Sequence, residues 1–206
     1  MATGRFITFE GIEGSGKSTQ IQLLAEHLER QGCEVRILRE PGGTAVGDRI
    51  RAILLDSSLD SLCDVSEMLL FAASRAQLVR EAVRPALDAG KTVLCDRFVH
   101  SSLAYQGHAR ELGRERVYAA NREALDGVLP EVVVLLDIDP DEALGRARAR
   151  SDLDRIEAED MAFHARVRAG FLAEAQADPE RFVLVSASGD PQAIHQRVVA
   201  ALEATP

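Results

Sequence analysis

Tryptophan is absent from the 206-residue chain, and aromatic residues of any kind make up only 4% of it. The core must therefore be assembled from Val, Leu, Ile and Ala. Cysteine is scarce as well. Cys33, Cys63 and Cys95 are odd in number and far apart, with no CxxC pair, which argues against a disulfide framework or a cysteine-held zinc site. Cys95 lies in an apolar run and reads as a buried thiol. No apolar stretch is long enough to span a bilayer, and Met1–Arg5 runs straight into a strand-like segment without a signal-peptide pattern. A reducing cytoplasm is the expected setting. Net positive charge is missing too: the formal charge is −9, which argues against a general nucleic-acid or anionic-membrane surface. Against that background, any cluster of arginines becomes informative.

What is present fits one compact domain over residues 1–206, 46% apolar and 28% charged. Five strand-like segments are expected, at Arg5–Glu10, Val35–Leu38, Thr92–Cys95, Val132–Ile138 and Phe182–Val185. Arg5–Glu10 alternates, whereas Val132–Ile138 is apolar on both faces until Asp137, as a central parallel strand should be. Helical patterns lie between them: Ser18–Gln31, Ala45–Leu55, Ser66–Ala89 with a kink at Pro85, and Ser101–Asp126 with breaks near Gly107 and Gly113. Asp139-Pro140 is a suitable N-cap and first-turn pair for a helix to about Arg150. Two more helices follow, one beginning near Glu157–Asp160 and ending near Asp178, the last over Pro191–Glu203. Alternating strands and helices imply an α/β fold, a parallel sheet with helices on both faces.

Gly11-Ile12-Glu13-Gly14-Ser15-Gly16-Lys17-Ser18 matches G-x-x-x-x-G-K-[ST] without a gap, after a strand and before a helix. Glycines let the backbone curl so that its N–H groups face phosphate oxygens. The helix beginning near Lys17 adds its positive end. Lys17 is expected to reach the β and γ phosphates, and Ser18 to hold Mg²⁺. Glu13 must point away from the phosphates, toward metal-bound water or a second substrate's hydroxyl. The guanine-reading N-K-x-D is absent, since Asn121 is the only asparagine and Arg122 follows it. No Asp stands three residues before a Gly, so the D-x-x-G switch is absent too. A small kinase or ATPase remains.

A kinase must also hold a second anion against the γ-phosphate, which calls for arginines outside the loop. Asp96-Arg97 closes a buried strand at the edge where parallel sheets hold ligands. Asp96 suits Mg²⁺ through water, and Arg97 the acceptor phosphate. Arg146, Arg148, Arg150 and Arg155 form a second cluster, with Arg146 and Arg150 on one helical face. Residues 146–158 are expected to form a lid that closes over ATP.

At this point the chain resembles thymidylate kinases over nearly its whole length. Phe9–Thr19, Arg39-Glu40-Pro41-Gly42-Gly43-Thr44, Asp96-Arg97-Phe98 with Ser101-Ser102 and Ala104-Tyr105-Gln106-Gly107, and Arg146–Arg150 with Leu153–Glu157 carry the likeness. The resemblance implies a three-layer P-loop kinase fold and transfer of a phosphate from ATP to dTMP. It implies ATP contacts by Gly11, Glu13, Gly14, Ser15, Gly16, Lys17, Ser18 and Thr19. It assigns dTMP to Glu13, Arg39, Phe71, Arg75, Arg97, Ser102, Tyr105 and Gln106. Glu13 would meet the sugar 3′-hydroxyl, Phe71 stack on the base, Arg75 bond its edge, and Tyr105 crowd the 2′ position. Arg97 would bind the acceptor phosphate with help from Arg39. Lys17, Arg97, Arg150 and Arg155 would be catalytic, and Ser18 and Asp96 would hold the metal. With no arginine inside the loop, the chain looks like the lid-arginine type found in many bacteria. The likeness also implies a homodimer, for which helices bearing Met68, Leu69, Ala72 and Ala73 could supply a face. Two positions depart from the pattern: Ser102 stands where Asn or Thr is common, and Ser186 precedes Ala187 where Asp is common. His100 reads as a surface residue without a catalytic part.

Overall fold

The computed structural model describes residues 4–59, 61–149 and 154–204. Five strands form one parallel sheet: β1 (Phe6–Glu10), β2 (Val35–Arg39), β3 (Thr92–Asp96), β4 (Val132–Asp137) and β5 (Phe182–Ser186). Their order is β2-β3-β1-β4-β5, so β1 is the middle strand. The chain crosses from one side of β1 to the other, and such a switch point opens a crevice at the carboxyl ends of the strands. The register aligns Arg39 and Phe9 with Asp96, and Asp137 with Ser186. Glu10, Arg39, Asp96 and Asp137 therefore share that edge.

Every residue of β1 is buried, not alternate ones only. The middle strand is covered on both faces, so even Thr8 and Glu10 are sealed. Ile7 and Phe9 join a core with Ile21 and Leu24 of α1 (Lys17–Arg30) and Phe163, Val167 and Phe171 of α8 (Met161–Ala177). Phe6 faces the opposite core with Leu78, Val83 and Phe98.

The remaining helices begin where their caps dictate. α2 (Ala45–Leu55) is capped by Thr44, whose Oγ1 accepts from the Gly47 amide at 2.9 Å. α7 (Pro140–Arg148), α8 and α9 (Pro191–Glu203) are capped by the carboxylates of Asp139, Asp160 and Asp190. Two long helical patterns are interrupted. α3 (Asp64–Leu78) widens into a π-helical turn at Val79–Val83 before α4 (Arg84–Asp88). Pro85 has no amide proton and crowds the turn before it, and the wider turn accommodates it. After β3, α5 (Val99–Ser102) leads into a π-helical turn at Leu103–Ala109, and α6 (Arg114–Leu125) starts only after Gly113. Among the described residues no helix is long and apolar enough to cross a membrane.

Candidate active site

Gly11–Gly16 leave β1 as a loop that lies directly on α7. A Cβ at Gly14 would stand 1.9 Å from the Ala143 carbonyl oxygen, and its φ is +76°. No side chain fits there. Lys17 opens α1 with its ammonium turned back into the loop, donating to the carbonyls of Gly11 (3.0 Å) and Ile12 (2.9 Å). Burial, with the nearby Arg97 charge, lowers its pKa to about 8. The Ser18 hydroxyl donates to Asp96 Oδ2 at 2.7 Å. The motif and the end of β3 therefore meet, with two hard oxygen donors side by side.

Arg97 has a left-handed backbone (φ 70°), uncommon for a residue with a side chain. That conformation turns its guanidinium over the loop. It donates to the Gly11 carbonyl (2.9 Å), Ser101 Oγ (3.1 Å) and Glu13 Oε1 (2.9 Å), and lies against the Tyr105 ring. The Glu13 side chain is turned to Arg97 and Tyr105. Its carboxylate also accepts the Tyr105 hydroxyl at 2.7 Å. Burial works to raise the Glu13 pKa, but the charges of Arg97 and Lys17 outweigh it and hold the group ionised below its usual range. Burial, together with the bonded Glu13, raises the Tyr105 phenol well above its ordinary value.

These groups border an open cleft of about 260 Å³. Gly14, Gly16, Lys17, Ser18, Thr19 and Asp96 line part of it. Glu13, Arg39, Phe71, Arg97, Ser102, Tyr105 and Gln106 line it too. Gly11 and Ser15, within the loop, do not line the cleft: Gly11 accepts from Lys17 and Arg97, and Ser15 from Lys17. Arg39 is largely exposed and pairs with Asp48 at 3.4 Å.

Two expected ligand contacts are placed differently. Arg75 is 1% exposed and does not line the cleft. Its guanidinium donates to Glu40 (2.9 Å), Ser102 Oγ (3.2 Å), the Phe98 carbonyl (3.1 Å) and Asn121. It lies beneath Ser102 and Glu40, which do line the cleft, so its donors support the wall instead of projecting into it. Arg155 is held at the Leu54 carbonyl (3.0 Å) and by Glu67 (2.6 Å), away from the loop. A buried carboxylate attracts a guanidinium more strongly than solvent does. Arg146 likewise bonds Glu142 (2.6 Å) and the Ala187 carbonyl (3.1 Å). Arg150, the other lid arginine expected to be catalytic, lies with residues 151–153 of the expected lid outside the described residues. His100 is 7% exposed, not a surface residue, and its ring stands edge-on to Phe182. Burial pushes its pKa down to about 3, so it is neutral.

Several groups were assigned no role from the sequence, although Glu10, Asp154 and Glu157 fall within segments that carry the resemblance. Glu10 is fully buried and accepts from the Phe98 amide (2.8 Å) and Ser101 Oγ (2.5 Å), fixing the segment that bears Arg97. Burial raises its pKa to about 7. Glu67 binds Gln106 (2.8 Å), Arg110 (3.3 Å) and Arg155 (2.6 Å). Burial favours its neutral form, but Arg110, Gln106 and Arg155 together lower its pKa. Arg51, Asp154 and Glu157 also line the cleft. Only the fold brings these separated positions together.

Comparison with known proteins agrees with this arrangement. The family profile described as Thymidylate kinase matches residues 9–198. Thymidylate kinase from Caldanaerobacter subterraneus subsp. tengcongensis is 48% identical over 200 residues, covering 97% of this chain and 95% of that protein. The enzyme of the same name from Deinococcus radiodurans is 46% identical over 202 residues, covering 98% of each. The crystal structure of thymidylate kinase from Ehrlichia chaffeensis superposes with a TM-score of 0.81 at 32% identity, covering 97% of this chain and 99% of that one. Matched along almost all of its length in both sequence and fold, the chain belongs to the thymidylate kinase family.

Proposed function

We propose that this protein transfers the γ-phosphate of ATP to dTMP. The observation that carries the reading is the convergence of Lys17, Ser18-Asp96 and Arg97-Glu13-Tyr105 on one cleft at the switch point of the sheet. ATP would lie with its phosphates in the Gly11–Gly16 loop and against Lys17. The acceptor would lie across Phe71 and Tyr105, its phosphate drawn to Arg97 and Arg39, its 3′-hydroxyl to Glu13. Tyr105 at the sugar edge favours deoxyribose.

A monophosphate oxygen attacks the γ-phosphorus in line. One P–O bond forms as the bond to the β-phosphate oxygen breaks, leaving ADP. The attacking oxygen is already anionic, so no general base is needed. The work of the chain is alignment and charge stabilisation by Lys17 and Arg97. The Ser18 hydroxyl and Asp96 carboxylate form an oxygen donor pair of the kind Mg²⁺ takes alongside substrate phosphates. When bound there, the ion supplies charge neutralisation on the transferred phosphate. Residues 146–158 act as a lid, and Arg155 serves the phosphates only after leaving Glu67.

We also assign a cytoplasmic setting and a homodimer. Of the α3 residues named for the dimer face, Leu69 is 52% exposed and Ala73 is exposed, while Met68 and Ala72 pack inward. The outward pair supports the assignment. A panel of nucleoside monophosphates with ATP and Mg²⁺ tests the reaction. dTMP-dependent ADP release is expected, and preference for a purine or a ribonucleotide would overturn the roles of Phe71 and Tyr105.

A further inference from the structure

His164, in α8, takes no part in the arrangement described so far. It is 0% exposed, and neither ring nitrogen has a hydrogen-bond partner among the described residues. Unpaired polar atoms in an interior are costly and uncommon. The Phe163 ring stands edge-on to the imidazole. Nδ1 stands 3.8 Å from Glu13 Oε2, just beyond hydrogen-bond reach.

Glu13 is at present fully engaged, by Arg97 at 2.9 Å and by the Tyr105 hydroxyl at 2.7 Å. On the functional reading above, on which this inference rests, the acceptor competes for both partners: its phosphate attracts Arg97 and its sugar abuts Tyr105. The Glu13 side chain is 13% exposed. A carboxylate so enclosed needs a replacement donor when those two turn to the ligand. A movement of roughly 0.8 Å brings His164 to an ordinary N–H···O distance of about 3.0 Å.

We propose that His164 is a positioning residue of the acceptor site. It donates its Nδ1–H to Glu13 once the nucleotide draws Arg97 and Tyr105 aside, and keeps the carboxylate aimed at the 3′-hydroxyl. The orphaned imidazole is then a reserved partner, idle until the acceptor binds.

The test compares full-length wild type with His164→Asn, His164→Gln and His164→Leu. Each is assayed with ATP and Mg²⁺ toward dTMP and toward its 3′-deoxy analogue, with a melting curve for each protein. Asn puts an amide nitrogen close to the position of Nδ1, and its KM for dTMP should stay within about twofold of wild type. Leu and Gln should raise that KM about tenfold, the scale of one lost hydrogen bond to a charged group, with a smaller change in kcat. Toward the 3′-deoxy acceptor all four proteins should be alike, because the hydroxyl that Glu13 would hold is gone. Equal losses toward both acceptors, no loss in the Leu variant, or Asn no better than Gln would each overturn the proposal. If the Leu variant fails to fold, the Asn and Gln pair decides. Wild type that leaves dTMP unphosphorylated would sink the functional reading itself, and this is seen before any variant is assayed.

Discussion

Arg97 combines a left-handed backbone with three hydrogen bonds and a ring contact. Such a backbone costs on the order of 1–3 kcal/mol and persists where the surroundings over-determine it. The surroundings here are the loop carbonyl of Gly11, Ser101 and Glu13, so the strain is tied to the site. Lys17→Ala and Arg97→Ala should each lower kcat by about 10²–10³-fold, with circular dichroism showing a folded chain. Near-normal rates in either variant would refute their assignment. Glu10 makes a pH-dependent contribution. Its pKa is near 7 in the folded protein and 4.5 ordinarily, so the folded state binds the extra proton between those values. Its share of stability is therefore complete below about 4.5 and is lost as pH rises through about 7. Melting temperatures of wild type should fall between pH 5 and pH 8 relative to those of Glu10→Gln. Parallel curves would show that Glu10 is not responsible. At this scale the motif residues were legible, because Gly11–Ser18 ties backbone shape and side-chain chemistry together. The fate of Arg75 was not, since its partners Ser102 and Asn121 are 27 and 46 positions away.

Elements announced their starts better than their interiors. Asp139-Pro140 and Asp190-Pro191 mark two helix N-termini to the residue, because a side-chain cap is local chemistry. The two π-helical turns carried no signal of their own: a wider turn changes the hydrogen-bond partner, not the residue types. The turn at Leu103–Ala109 matters most, as it presents Tyr105 and Gln106 and rests against α8. Gly170 of α8 makes that approach possible. A Cβ there would lie 2.8 Å from His108 Cβ and 3.1 Å from Ala104 Cα. Gly170→Ala should lose about 1–3 kcal/mol in urea unfolding and raise the KM for the acceptor, since the displaced turn carries Tyr105. Unchanged unfolding and KM would mean that the two elements yield freely. Glu67 joins α3, this turn and the segment after α7 through Gln106, Arg110 and Arg155. Glu67→Gln takes the paired carboxylate from Arg155, while Arg110 keeps Glu159, and thermal melting should show a loss of about 2 kcal/mol.

For the whole molecule, alternation of strands and helices was enough to imply a parallel sheet with helices on both faces. Strand order was a different matter, because pairing of β1 with both β3 and β4 is decided by packing between distant segments. The outward apolar residues follow the same logic: α3 buries Met68 and Ala72 and presents Leu69 and Ala73, a split that helical spacing alone leaves open. Leu69→Glu should shift the protein toward monomer in sedimentation experiments while its melting curve is retained. A wild type that sediments as a monomer would end the dimer assignment. Gly14 sits on Ala143 with no side chain between them. The glycine loop and α7 thus share one footing, like an anvil bolted to the post of its own hinge. On the proposal that residues 146–158 close over ATP, any swing at the end of α7 is levered directly against the loop that would hold the phosphates.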